Sequence, residues 1–149
     1  MSITLSVLVF RGDPVDTMEY RHAGIYLDYG QGQSSMMHIV GAPGCFSFQE
    51  DDKMDYTKSD KLEGHIRVTT LHEDFTRAMI KDACSKTPVK NHSREWNCQH
   101  WVGDALAELV RKIQCLTKTQ REAAIDQMAA TIAEARDEKH LGVTVGGWI

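Results

Sequence analysis

Apolar positions recur along this chain in two rhythms, near period two in the first half and near the helical period in the second. Ile3 to Phe10 (ITLSVLVF) is short, rich in β-branched side chains and closed by Gly12-Asp13-Pro14, which predicts a strand at least half buried. His22 to Tyr29 (HAGIYLDY) and Ser35 to Val40 (SMMHIV) predict two more strands. Gly30-Gln31-Gly32 between them gives a hairpin with a glycine-containing loop, and Gly41-Ala42-Pro43-Gly44 stops the second run. Phe48 to Glu63 is polar and charged and reads as an exposed connection or an irregular cover segment. His65 to Leu71 alternates and predicts another strand, and His72 to Cys84 carries Phe75, Met79 and Ile80 at helical spacing before Pro88 and Asn91 end it.

The clearest helical stripe begins near Asn97, where Trp101, Val102, Ala105, Leu106, Leu109, Val110 and Ile113 share one face. A last helix is expected from Thr119 to Lys139, with Ile125, Met128, Ala129, Ile132 and Ala135 on one side, closed by Gly142 and Gly146-Gly147. Strands followed by helices predict an α+β fold in a single domain over 1–149, a small antiparallel sheet with helices packed on it.

Composition removes several function classes. The chain has 149 residues, enough to bury a core, and its net charge of -4 provides no field for a phosphate backbone, so no nucleic-acid partner is expected. No run approaches the ~20 apolar residues of a transmembrane segment, and Met1 to Phe10 lacks the basic start of a secretory signal. Cys45, Cys84, Cys98 and Cys115 form no CxxC pair and read as separate thiols, which places the protein in a reducing, cytoplasmic setting. Zinc sites need ligand pairs that converge, whereas His100 diverges from Cys98, so no metal is expected. The pattern does not fix an oligomeric state.

Cys98 is the residue that carries chemistry. It lies three and four positions before Trp101 and Val102, which turns its side chain inward, and Asn97 before it is a good N-cap. Free amides in the first helical turn favour a thiolate and offer donors for an oxyanion, the Cys98 N–H first among them. A thiol nucleophile needs a base, better still a base oriented by a third polar group. His22 opens the first hairpin strand and His38 lies in the second, and a reversal near residue 30 brings the two roughly opposite each other. Parity gives His22, Gly24 and Tyr26 one face, with room beside Gly24 as a berth for the helix start. His100 points away from Cys98 and takes a structural role such as a backbone hydrogen bond. Cys45, Cys84 and Cys115 are expected to be packing residues, Tyr26, Phe46, Phe48 and Trp96 core or cleft lining, and the acidic residues of 50 to 55 a solvated surface.

The segment Tyr20-Arg21-His22-Ala23-Gly24-Ile25-Tyr26-Leu27, then His38, then Asn97-Cys98-Gln99-His100-Trp101-Val102 resembles the lecithin retinol acyltransferase-like group of circularly permuted NlpC-type, papain-fold enzymes. The resemblance spans residues 20 to 106 in the same order. It implies a papain-like fold with Cys98 as nucleophile, His22 as general base and acid, and His38 as the residue orienting His22. It further implies a thioester intermediate formed from a small-molecule or peptidyl ester, thioester or amide and passed to water, an amine or an alcohol, with no cofactor. Membrane-active relatives carry a hydrophobic terminal anchor where this chain has a charged helix and Gly146-Gly147-Trp148-Ile149, which points away from a phospholipid substrate. The Asn-Cys-x-His start is also similar to PPPDE-type isopeptidases, which cut ubiquitin-like conjugates with one His and one Cys. A non-catalytic binding domain of the same fold is the alternative from another class.

Overall fold

Five strands and three helices make up the α+β fold of the computed structural model, which describes residues 2–135. β1 (Thr4–Phe10), β2 (His22–Gly30), β3 (Gln33–Val40), β4 (Ser47–Asp51) and β5 (Leu62–Thr70) form one antiparallel sheet in the order β4-β3-β2-β1-β5. The hairpin between β2 and β3 turns on Gly30, Gln31 and Gly32, all with positive φ (83°, 56° and 77°), a conformation that glycine adopts without steric cost. β1 is an interior strand between β2 and β5 with both faces covered, which explains why its residues from Leu5 to Phe10 are all buried.

Alternation divides the sheet into two faces. Val7, Val9, Ala23, Ile25, Leu27, Met37 and Ile39 join the main core with α1 (Arg77–Ser85), α2 (Cys98–Glu108) and α3 (Lys118–Ala133). Leu8, Phe10, Tyr26 and Met36 form a smaller cluster on the opposite face, covered by Tyr56 and Leu62. α1 starts at Arg77, later than the apolar spacing from His72 suggests, because Thr76 is its N-cap and accepts the Met79 N–H at 3.2 Å. α2 runs on into one π-helical turn, Leu109–Ile113, ended by Gln114 in the left-handed conformation. α3 opens on a capping box of Thr117 and Gln120 and buries Ala124, Met128 and Ile132 at four-residue spacing, with Ala129 exposed. α3 ends at Ala133 with Glu134 as its C-cap, so the helix expected through Ala135 stops short, and 136–139 with the closing glycines lie outside the described residues.

The stretch over Phe48 to Glu63 covers the smaller cluster through Tyr56 and Leu62, as a cover segment does, and is more regular than expected. It contains β4 as an edge strand and a single 3-10 turn, Tyr56–Lys58, capped by Asp55. Phe48 packs its ring 5.8 Å from that of Trp101, while Glu50 accepts from Arg77 and Lys81 at 2.8 and 3.2 Å. No described helix is long and apolar enough to cross a membrane.

Candidate active site

The ladder between β2 and β3 runs from the turn as far as Ile25↔Met37, and the ends of both strands lie beyond that last rung. Carried further, the same register sets Gly24 opposite His38, so His22 is the diagonal neighbour of His38 on the same face and not its direct partner, as the turn midpoint suggested. The diagonal is bridged. His22 Nε2 lies 2.7 Å from His38 Nδ1, with ring centroids 5.0 Å apart. Gly24 makes that approach possible: a Cβ there would stand 2.4 Å from Met36 Cε and 2.9 Å from His38 Cβ.

Cys98 arrives from the other side of the sheet. The berth for the helix start is the Ala23-Ile25-Leu27 face, contrary to the expectation that the helix packs on the face of His22 and Gly24, because the apolar stripe of α2 follows the larger apolar surface. The thiol approaches the sheet where the β2–β3 ladder has ended. Cys98 Sγ lies 3.9 Å from the Arg21 carbonyl oxygen, and the N–H of Ala23 also points at the sulfur, so the thiol touches the backbone on both sides of residue 22. Cys98 and His22 line one cavity of about 530 Å³, together with Arg21, Ile39, Val40 and Phe46. His38, 4% exposed, is buried behind His22 and does not line the cavity.

Local sequence explains how the thiol is held. Asn97 Oδ1 accepts from the N–H groups of Gln99 and His100 at 2.9 and 3.4 Å, and His100 Nδ1 accepts the Asn97 N–H at 3.1 Å. This capping box is the backbone role expected for His100. It leaves the Cys98 N–H outside the cap and directed at its own sulfur. Gln99 Nε2 donates to the carbonyls of Met18 and Arg21 at 2.8 and 2.9 Å, pinning the chain just before His22 to the helix start. The Arg21 side chain is clamped by Asp16 through two 2.9 Å bonds and donates to the Thr131 carbonyl, also at 2.9 Å. Asp16 is held below its ordinary value chiefly by that pairing.

The electrostatics correct one expectation. Burial pushes the Cys98 thiol up, against the N–H groups of Ala23, Cys98 and Gln99 that favour its anion, so the helix mouth does not lower it below a free thiol. Burial, reinforced by charge on His38, lowers His22 to about 4, and burial lowers His38 to about 4 against the opposing charge of Asp51. Burial thus favours the neutral thiol of Cys98 and the neutral imidazole of His22, two groups that line the same cavity.

Sequence reasoning did not find Asp51 and Tyr56. Tyr56 donates to Asp51 Oδ2 at 2.6 Å and sets its ring edge against His38, with centroids 5.7 Å apart. The only signal was a tyrosine five residues after an aspartate in a stretch read as solvated. Asp55 in the same stretch accepts from Tyr26 at 3.3 Å. Of the remaining thiols, Cys84 is buried and Cys115 half-buried, while Cys45 is exposed and not the packing residue expected. Tyr26 and Trp96 are buried, whereas Phe46 and Phe48 are half-buried against the core. Among the described residues no three His, Cys, Asp or Glu side chains converge to hold a metal.

Residues 9–114 match the Family of unknown function (DUF6540). The chain belongs to that family. The DUF6540 span takes in Cys98, His22, His38, Asp51 and Tyr56 and stops before α3. No curated protein and no solved structure matches the chain.

Proposed function

We propose that this DUF6540 protein is a cysteine-dependent acyl hydrolase or acyltransferase built on a permuted papain-like arrangement, acting on a small-molecule or peptidyl ester, thioester or amide. One observation carries the reading: Cys98 and His22 line one cavity, and His22 is bonded at 2.7 Å to a second buried imidazole. Nε2 of His22 is engaged with His38, so Nδ1 is the nitrogen left to serve the thiol. His22 Nδ1 takes the Cys98 proton as sulfur attacks the carbonyl carbon. The N–H groups of Cys98 and Ala23, already directed at the sulfur, are the donors nearest the oxyanion that forms. The protonated His22 then gives its proton to the leaving alcohol, thiol or amine, and a thioester remains on Cys98 for water or an amine to release. These steps use side chains and backbone N–H groups of the chain, with water or an amine as the acceptor.

The neutral resting pair suits this sequence, because the proton moves only as the new bond forms. The cavity, about 530 Å³, lies within the range of small-ligand sites, and its Ile39, Val40 and Phe46 wall offers an apolar berth for the acyl group. The test is intact-mass spectrometry after incubation with pooled acyl esters, thioesters and peptidyl amides. The expected result is an acyl mass on Cys98 that is absent from Cys98→Ala, with that variant folded and without turnover. Normal turnover by Cys98→Ala rejects the proposal.

A non-catalytic binding domain is favoured by one fact, the burial that raises the Cys98 thiol. That reading expects no acyl mass with any donor and saturable binding of a ligand in the cavity.

A further inference from the structure

β4 brings a carboxylate to the far side of the histidine pair. On β3 and β4 the register pairs Met36 with Asp51 and His38 with Gln49, so Asp51 and His38 stand on the same face, one diagonal step apart. The 3-10 turn folds Tyr56 between them, its hydroxyl on Asp51 Oδ2 at 2.6 Å and its ring edge-on to His38 at 83°. Asp51 Oδ1 is fixed from the other direction by the Lys53 N–H at 2.9 Å. Both carboxylate oxygens are therefore held, and the charge has a set position relative to His38.

On the other side of His38, Nδ1 meets His22 and Nε2 has no hydrogen-bond partner among the described residues. The ionisable groups around His38 are thus His22 from β2, Asp51 from β4 and Tyr56 from the turn. Tyr56 is pushed up to about 12 by burial and by Asp51, so it stays a neutral phenol, and Asp51 is the one anion of the group.

We infer that Asp51, locked by Tyr56 and the Lys53 N–H, is a positioning residue that stabilises the His22–His38 pair when it carries a proton. The inference rests on the function proposed above in one respect, since it is His22 that gains the proton as Cys98 attacks. Charge that builds on His22 strengthens its Nε2–H bond to His38 Nδ1, and the positive end of that chain then lies beside the fixed carboxylate. No proton needs to leave His38. The order is Cys98, His22, His38, Asp51, with the last member on the edge strand.

Two readouts separate this inference from the function reading. The first follows the His38 Cε1–H resonance in the resting protein from pH 7 to 4.5, where a group near 4 is about one-quarter protonated. In Asp51→Asn the His38 value is expected to fall by about one unit, so that the resonance hardly moves over this range. Asp51→Glu is expected to restore part of the movement. Asp52→Asn, which removes a carboxylate paired with Arg77, leaves it as in the wild type. The second readout is acyl turnover, where Asp51→Asn lowers kcat by about tenfold with KM unchanged, because the charge acts only as the proton moves. A His38 titration unchanged in Asp51→Asn, or a loss confined to KM, overturns the inference. If the wild type forms no acyl-enzyme with any donor, the catalytic reading fails, while the titration still decides whether Asp51 governs the pair.

Discussion

Acid should loosen this protein earlier than its carboxylates alone would. His22 and His38 each hold about 4 in the fold, against about 6.5 for an unperturbed histidine. The folded state therefore binds fewer protons than the unfolded state between those values. The stability due to neutral burial is fully present above about 6.5 and is lost as pH falls towards 4. At pH 5.0 an unfolded histidine is nearly all protonated and each of these is about one-tenth protonated, which by linkage costs about 2 kcal/mol per group relative to pH 7.5. The pair together costs about 4 kcal/mol, a large share of the ~5–15 kcal/mol that holds a typical domain folded. Ordinary carboxylates titrate below pH 5, so that interval isolates the histidines. The assay is urea unfolding followed by the fluorescence of the buried Trp96 and Trp101, at both pH values. Wild type should lose about 4 kcal/mol and His38→Gln about half as much, because one titrating group remains. A wild-type loss below about 1 kcal/mol, or an equal loss in His38→Gln, refutes the reasoning from burial.

Gly24→Ala should act through space and not through chemistry. The new methyl displaces the flexible Met36 terminus but also presses on His38 Cβ, so a stability loss of about 1–3 kcal/mol is expected, together with a broken imidazole pair visible as a changed His22 resonance; an unchanged resonance counts against the packing argument. The alkylation of Cys98 by iodoacetamide, followed by peptide mass against pH, should show a midpoint above the ~8.5 of a free thiol. A lower midpoint would mean that the helix-start amides outweigh burial.

The parts of this architecture legible in the sequence are those where one local rule decides. β1, β2 and β3 are short apolar runs buried on both faces, and Gly30 and Gly32 mark a turn that needs positive φ. The start of α2 was legible for the same reason: Asn97 and His100 cap locally, whatever lies around them. β4 was not, because Ser47–Asp51 is an edge strand whose one large apolar residue, Phe48, gives no period. The hairpin was legible but its register was not: the turn midpoint suggested opposite histidines, while the bulge between Asp28 and Gly30 makes them diagonal. Asp51 and Tyr56 gain their places from pairing between strands, which short-range patterns do not encode. Neither does spacing show that burial outweighs the helix dipole at Cys98, since that balance is set by side chains from distant segments.

The unzipped end of the β2–β3 hairpin has a mechanical corollary. Beyond Ile25↔Met37 the two strands stay laddered to their outer neighbours, His22 to Phe10 and Val40 to Ser47, and a contact between two rings joins them to each other. The ring-to-ring bond thus ties two strand tips that no shared ladder joins, and stretching it would take from a protonated His22 the partner to which its Nε2–H donates.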